Sequence, residues 1–291
     1  MSEKSIVSLV AKYTRCYHER RERKDADQWK RSVLPAKSQD IDRATLLSNG
    51  RVLIHESGNP DGELWTMNTD GSQRTLFSNL RGIGIGFVSR LGTYVIFLTT
   101  HNQKTSLIRT DMDGLNPRTV TTGGLWSPYC SSSGDYVYYA DWIARPQRLL
   151  RVPIEGGAAV EVARVPGKAL IGVIAVSPDG KFLAFPYLEG ENAAHSKLVV
   201  IPADGGPPTE TFPDVTGIFR WSPDGSCIVH YAVCNDTFQL VKQPLSGGKP
   251  RQLTKFPSGR SGDFSWSPDG KWLYIAHGEV RSDAVLISNF R

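Results

Sequence analysis

The sequence predicts an all-β protein, a six-bladed β-propeller of four-stranded antiparallel blades. Three observations support this fold class: a repeated hairpin sequence, a steady spacing of turn glycines, and a second turn in most units. The hairpin occurs as IAVSPDGKFLAFPY from residue 174, FRWSPDGSCIVHYA from residue 219 and FSWSPDGKWLYIAH from residue 264. The turn glycines lie 42 to 46 residues apart, a period that is typical of propeller blades. They are Gly50, Gly92, Gly134, Gly180, Gly225 and Gly270.

Each unit carries signals for four short strands. A short segment precedes each turn glycine, and an apolar run such as YVIFL from residue 94 follows it. A second run such as KLVVIP from residue 197 comes next, and in five of the six units a DG or GG turn then leads to a short final segment. Because the apolar runs lack polar alternation, we expect both faces of each sheet to be buried between neighbouring blades.

The SPDG tetrapeptide has the composition of a tight hairpin turn. Serine offers a side-chain oxygen at the first position, and proline presets φ at the second position. Aspartate tolerates the third position, and glycine supplies the positive φ that closes the turn. The sequence therefore predicts that each SPDG turn joins the first two strands of a blade.

The two ends of the chain suggest how the ring closes. The last unit stops at Arg291 after its third predicted strand, AVLISN. Residues 29–34 (WKRSVL) begin a stretch that parallels the one leading into the last hairpin. We therefore expect residues 29–34 to supply the missing outer strand, because joining both chain ends in one sheet removes the weak seam of the ring.

This scheme divides the chain into a leader at residues 1–27 and a six-bladed propeller at residues 28–291. Within the leader, four apolar or aromatic side chains fall on one face of a helix. We expect a short amphipathic helix there, or a disordered segment. The four residues are Ile6, Val10, Tyr13 and Tyr17.

The positive charge of the chain is concentrated near its start. The formal net charge is +5, from 34 Lys and Arg against 29 Asp and Glu. Residues 1–44 hold 11 basic and 7 acidic residues, which leaves 23 basic and 22 acidic residues in the remainder. A nearly neutral body is a poor match for nucleic acid, so we expect the propeller itself to bind none.

The cysteines and the first residues of the chain indicate the cellular compartment in which we expect the protein. Cys16, Cys130, Cys227 and Cys234 are scattered without ligand spacing, which favours free thiols in a reducing compartment. The apolar run at residues 6–11 is too short for a secretory signal or a membrane span. We expect a cytoplasmic monomer without membrane contact; a periplasmic location is the alternative if an upstream export segment is missing.

The repeat units resemble those of the TolB-like propellers, which are related to WD-repeat proteins. The resemblance rests on WSPDGK with LYIA and VLI in the last unit and on PADGG with ETF in the fourth, and it covers about 260 residues. The closing GEVRSDAVLISNFR also resembles the end of propeller regions attached to bacterial winged-helix regulators or Ser/Thr kinases. In those proteins the resemblance implies a sensing or interaction module.

The sequence lacks the common motifs of catalysis. No GxSxG, P-loop, HExxH or EF-hand loop occurs, and GRSGD from residue 259 has the wrong spacing for a nucleophile elbow. The chemistry-bearing residues fall instead in the predicted connections between second and third strands, which share one mouth of the channel. The candidates are His55, Glu56, His101, Asp141, Trp142, Arg145, Glu189, His277 and Arg281.

Two function classes remain open at this point. We prefer a non-catalytic propeller that binds a protein or small ligand at the loop-lined mouth, with Trp142 as an exposed aromatic anchor and no cofactor. The alternative is a metal-dependent small-molecule hydrolase or lyase, in which His55, His101 and His277 would meet around the closed ring. Convergence of three ligand-capable side chains at the channel axis would favour the alternative.

Overall fold

The computed structural model describes residues 15–18 and most of residues 41–278, and its regular secondary structure is entirely β-strand. Within the second range it does not cover residues 48, 57–61, 69–70, 81–82, 90–91, 103, 166–168, 171–172, 189–195, 214, 216–217, 235–236, 258–259, 267–269 and 271–272. The part described contains no helix, and hence none that could cross a membrane. The all-β prediction is confirmed.

The described residues form 24 strands. In chain order they are β1 (Arg15–His18), β2 (Ile41–Leu46), β3 (Val52–Glu56), β4 (Glu63–Met67), β5 (Thr75–Leu76), β6 (Ile83–Val88), β7 (Tyr94–His101), β8 (Lys104–Asp111), β9 (Arg118–Thr122), β10 (Leu125–Cys130), β11 (Tyr136–Asp141), β12 (Arg148–Pro153), β13 (Val160–Arg164), β14 (Ala169–Leu170), β15 (Ala175–Val176), β16 (Phe182–Leu188), β17 (Ser196–Pro202), β18 (Glu210–Pro213), β19 (Phe219–Trp221), β20 (Cys227–Cys234), β21 (Thr237–Pro244), β22 (Arg251–Gln252), β23 (Arg260–Trp266) and β24 (Leu273–Gly278).

Five sheets are blades in which strands adjacent in sequence pair antiparallel. They are blade 1 (β2 to β5), blade 2 (β6 to β9), blade 3 (β10 to β13), blade 4 (β14 to β18) and blade 5 (β19 to β22). In blade 4 both β14 and β15 pair with β16, so the innermost position is divided between two short strands. Each predicted hairpin around a turn glycine in these blades joins the first two positions of its sheet, as expected.

The prediction of six four-stranded blades is wrong, because only five sheets formed by the described residues have four or more strands. The last hairpin, β23 and β24, lies in a three-stranded sheet with β1. β1 pairs with β24 from Arg15 opposite His277 to His18 opposite Tyr274, on the edge that we assigned to AVLISN. An unpaired strand edge accepts another segment of suitable length, which is how the leader can take this position. Residues 29–34 and 279–291 lie outside the described residues.

The predicted helix of the leader is also wrong where the leader is described. Tyr17, which we placed on the helical face, lies in β1 opposite Ile275. The other three residues of that face, Ile6, Val10 and Tyr13, lie outside the described residues. Backbone pairing with β24 satisfies the N–H and C=O groups of both edges, whereas a helix would leave the β24 edge unpaired.

The core consists of apolar clusters between successive sheets. In β11, Val137 and Tyr139 pack into the cluster shared with blade 2, and Tyr138 and Ala140 pack into the cluster shared with blade 4. Alternate side chains of one strand thus enter two different interfaces, and all four are buried. The prediction of strands buried on both faces is confirmed, and each large side chain contributes about 1.5–3 kcal/mol to stability.

Arginine–carboxylate pairs join adjacent blades, and we call two of them, which involve a third-strand arginine, clasps; Arg118 of β9 also lies 3.6 Å from Glu155 of blade 3. In the first clasp, Arg109 of β8 pairs with Glu155 of blade 3, and its Cζ lies 4.3 Å from the ring centroid of Tyr94. In the second clasp, Arg151 of β12 pairs with Asp204 of blade 4. Each arginine lies on the third strand of its blade, and each carboxylate lies in the turn after the third strand of the next blade. The clasps therefore add charge pairing to the apolar contacts on both sides of blade 3.

The SPDG turn at residues 222–225 shows why its serine and aspartate are needed. The backbone N–H of Gly225 donates to the carbonyl of Ser222 at 2.9 Å, which closes the turn. The Ser222 hydroxyl accepts from the N–H of Cys227 at 3.0 Å and donates to the carboxylate of Asp224. That carboxylate also accepts from the N–H of Ser226 at 3.0 Å. These hydrogen bonds, the one from Ser222 foremost, lower the pKa of Asp224 to about 2.

We expect Ser222→Ala to destabilise the protein by about 1–2 kcal/mol, because it removes a partner from both Cys227 N–H and Asp224. The pKa of Asp224 should rise towards the ordinary value. Since the native pKa is lower than the unfolded one, Asp224 contributes its stability above about pH 4 and loses it as the pH falls towards 2. Urea unfolding at pH 7 and pH 3 measures both effects.

Ser226→Ala is the matched control for this turn. Ser226 is exposed, and its hydroxyl gives only one further hydrogen bond to Asp224, at 2.8 Å. The control should lose less stability than Ser222→Ala at pH 7. Equal losses in the two variants would contradict the role given to the Ser222 hydroxyl.

Candidate binding site

The antiparallel order of the blades places two kinds of connection on each face of the ring. The SPDG-type turns and the turns between third and fourth strands share one face, here called the turn face. The connections between second and third strands share the opposite face with the links between blades, and we call this the mouth face. Every candidate residue of the sequence analysis was assigned to the mouth face.

Three of the candidates are brought together in blade 3. Asp141 ends β11, and Trp142 and Arg145 lie in the connection from β11 to β12. Trp142 and Arg145 are exposed, whereas Asp141 is half-buried and accepts a hydrogen bond from Arg148 at 2.7 Å. This hydrogen bond raises the pKa of the Arg148 guanidinium.

The histidine candidates have different surroundings. His55 is buried, and its Nε2 lies 3.0 Å from the carbonyl oxygen of Ile83 in blade 2, so it joins two blades. His101 is exposed at the end of β7, opposite Lys104. His277 lies in β24 opposite Ser261. Over the described residues, no group of three His, Cys, Asp or Glu is arranged to hold a metal ion.

The remaining candidates are described only in part or not at all. Glu56 ends β3 opposite Glu63 of β4, which places its backbone at the mouth face. Glu189 and Arg281 lie outside the described residues.

The main feature of the mouth face in blade 3 is an exposed aromatic pair. The rings of Trp126 and Trp142 have centroids 6.5 Å apart and are tilted by 45° to each other. Each tryptophan is 50% exposed, and the neighbouring Ile143 is 66% exposed. We call Trp126, Trp142 and Ile143 the aromatic patch. Single exposed apolar side chains are common on protein surfaces, whereas a contiguous group of them marks a candidate contact surface.

Trp126 was missed in the sequence analysis because it lies in the short segment before a turn glycine, and we took candidates only from the connections between second and third strands. β10 has a register shift between Trp126 and Tyr129, and Ser127 has a φ of 50°. Such a bulge redirects the side chains beside it. The signal in the sequence was Ser127-Pro128 directly after Trp126, since proline cannot donate to a strand ladder and is found in strands at bulges.

The bulge is held by a contact to the next blade. The Ser127 hydroxyl accepts from the backbone N–H of Ile174, which precedes β15, at 3.0 Å. The side chain of Ser127 therefore compensates for its unusual backbone conformation and ties the inner strand of blade 3 to blade 4.

The connection that carries Trp142 is fixed by its own hydrogen bonds. Arg145 Nη1 donates towards the carbonyl oxygens of Trp142, Ile143 and Ala144 at 2.6, 3.3 and 2.9 Å. The N–H of Trp142 donates to the carbonyl of Gly124 at 3.1 Å, and Asp141 Oδ1 accepts from Ala144 at 3.2 Å. Arg145 thus organises the loop, and the ligand contact that we predicted for it stays a prediction.

Gly124 allows the link between blades 2 and 3 to approach this loop. A Cβ at Gly124 would lie 2.7 Å from Cγ1 of Ile143 and 2.9 Å from Oδ1 of Asp141. The absence of a side chain there lets Ile143 pack over the link while it remains exposed on its outer side.

Comparison with families and curated proteins gives partial matches. No protein-family model matches the chain. A stretch of 123 residues is 33% identical to dipeptidyl-peptidase 5 of Porphyromonas endodontalis, and it covers 40% of this chain and 18% of that protein. A stretch of 101 residues is 27% identical to an uncharacterized protein of Agrobacterium fabrum, covering 34% and 33% of the two chains. The matches thus span a third or less of these relatives.

Solved structures share the fold over most of this chain. TolB from Acinetobacter baumannii matches with a TM-score of 0.58 and 14% identity, covering 84% of this chain and 57% of TolB. An oligogalacturonate lyase in complex with manganese matches with a TM-score of 0.62 and 12% identity, covering 83% of this chain and 78% of the lyase. A puromycin-hydrolyzing peptidase of Mycobacterium tuberculosis matches with a TM-score of 0.63 and 17% identity, covering 82% of this chain and 43% of the peptidase. The chain therefore has a β-propeller fold with TolB among its structural neighbours.

Proposed function

We propose that the chain is a non-catalytic interaction or sensing propeller that binds a polypeptide partner through the aromatic patch. The observation that carries this proposal is the contact between two half-exposed tryptophans at the mouth face. Tryptophan is enriched among the residues that dominate binding energy at interfaces. The resemblance of the closing residues to propellers attached to winged-helix regulators or kinases agrees with a module of this kind.

The surroundings of the patch support binding rather than simple solvation. A solvated loop tip usually carries polar side chains, whereas this tip presents Trp142 and Ile143. The rim around the patch is polar, with Arg148 paired to Asp141 and Glu161 paired to Arg164. An apolar centre with a polar rim is the usual anatomy of a protein interface.

One further observation supports a non-catalytic role, and another supports a cytoplasmic location. The sequence contains no GxSxG motif of the serine hydrolases, although peptidases are among its structural neighbours. Cys130 and Cys227 are buried free thiols, and burial raises the pKa of Cys130 to about 12, which suits a structural role. Free thiols favour a reducing compartment, so we propose a cytoplasmic location.

Selection from a random peptide display library on the immobilised protein tests the proposal. Affinities of selected peptides are then measured by isothermal titration calorimetry with the wild type and with Trp142→Ala. We expect Trp142→Ala to weaken binding about thirtyfold, since truncating a central tryptophan typically costs 2 kcal/mol or more.

Leu115→Ser is the matched control, because Leu115 is 61% exposed on the turn face. It should change affinity by no more than about twofold, as expected of a residue away from the interface. A library that yields no binder, or binders weakened equally by both substitutions, would overturn the proposal.

A further inference from the structure

The hydrogen-bonding groups of the aromatic patch indicate the chemistry of its ligand. We propose that the patch binds a proline-rich segment in the polyproline II conformation. This inference rests on the proposed function, since it names the class of polypeptide that the same site would take.

The acceptors around the patch already have hydrogen-bond partners within the protein. The carbonyls of Trp142, Ile143 and Ala144 accept from Arg145, and the carbonyl of Gly124 accepts from Trp142. The carboxylate of Asp141 accepts from Arg148 and Ala144. These oxygens can accept further bonds, but a donating ligand would share each of them with a partner inside the protein.

The indole hydrogen-bond donors of the patch, in contrast, have no partner within the described part of the protein. Within the part of the chain that the structure describes, neither the Trp126 nor the Trp142 indole N–H has an acceptor, and both side chains are half-exposed. The indole nitrogen can only donate. The patch thus offers two aromatic faces and two donors, and it suits a ligand that is apolar and accepts hydrogen bonds.

A proline-rich segment has this chemistry. Proline has no backbone N–H, so each proline contributes a carbonyl acceptor and an apolar ring but no donor that needs a partner. Such segments form the polyproline II helix before binding, and they dock in aromatic-lined grooves.

Two other ligand classes fit less well. A carbohydrate also stacks on tryptophan, but its hydroxyl groups donate as well as accept, and each local acceptor already has a partner within the protein. Among the described residues near the patch, a cationic group would meet Arg145, Arg148 and Arg164 against two carboxylates, Asp141 and Glu161. The balance of charge and of hydrogen-bonding groups therefore favours the proline-rich segment.

Calorimetric titration of the full-length protein with decaproline tests this inference. An alanine–glutamine peptide of equal length and cellopentaose serve as comparison ligands. We expect decaproline to bind, the comparison ligands to bind at least about tenfold more weakly, and Trp142→Ala to weaken decaproline binding about thirtyfold. Trp142→Phe retains an aromatic face but removes the N–H, so it should cost about fivefold.

The outcomes separate this inference from the proposed function. If library peptides without proline bind at Trp142 while decaproline does not, the ligand class is wrong and the binding function stands. If neither library peptides nor decaproline bind, both proposals are wrong. Binding of cellopentaose that depends on Trp142, or unchanged decaproline affinity in Trp142→Phe, would overturn the hydrogen-bonding argument.

Discussion

Gly114→Ala should destabilise the protein by more than about 4 kcal/mol, the largest effect that we expect from any single methyl group. Gly114 lies in the turn after β8 with a φ of 85°, and a Cβ there would lie 1.9 Å from the carbonyl oxygen of Phe77 in blade 1. Neither backbone can yield without opening the interface between blades 1 and 2. Urea unfolding followed by tryptophan fluorescence measures the loss, and soluble yield reports it if the variant does not fold.

Gly247→Ala is the matched control for this effect. Gly247 has the equivalent position in blade 5 and a φ of 83°, but a Cβ there would meet no atom within 4 Å. It should cost about 1–2 kcal/mol, which is the penalty of a left-handed conformation alone. Gly205→Ala should fall between the two, since its Cβ would lie 2.7 Å from the carbonyl oxygen of Val162. Similar losses in all three variants would show that close approach between blades is unimportant.

Glu155→Gln should destabilise the protein by about 2 kcal/mol, because it leaves the charge of Arg109 without its partner. The Arg109 side chain is only 7% exposed, whereas Glu155 is 54% exposed. Breaking a fully buried pair costs about 3–5 kcal/mol, and the exposure of Glu155 reduces that value through solvent screening. Urea unfolding at low salt measures the change.

Asp204→Asn breaks the equivalent pair with Arg151 and serves as the control. In this clasp the arginine is 25% exposed and the carboxylate is 86% exposed, so the loss should stay below about 1 kcal/mol. Added salt should reduce the loss in Asp204→Asn more than the loss in Glu155→Gln, because exposed charges are screened more strongly. Equal losses in the two variants would mean that burial of the arginine does not set the strength of the clasp.

The parts of the fold that could be predicted from sequence are those set by local chemistry. The turns at Ser177 and Ser222 have the hydrogen bonds expected from serine, aspartate and glycine at fixed positions. The period of the turn glycines likewise located each inner hairpin. The last sheet could not be predicted in this way, because pairing at the edge of β24 depends on which segment reaches it, and strand patterns do not rank the candidates.

The site was predictable only where a polar or aromatic residue falls at a loop tip. Trp142 met that condition, but Trp126 did not, because a bulge changed which side chains of β10 are exposed. His55 shows the opposite error. It was assigned to the exposed mouth as a polar residue, yet it is buried because the Ile83 carbonyl of the next blade supplies a hydrogen-bond partner.

The two clasps lie on either side of blade 3, the blade that carries the aromatic patch. In a repeat fold each unit contacts only its neighbours, and a unit opens locally only when both of its interfaces give way. Blade 3 is thus tied by a charge pair to each of its two neighbours. A ligand that docks there meets a loop whose backbone is already held by Arg145 and Gly124, so less ordering of that backbone opposes binding.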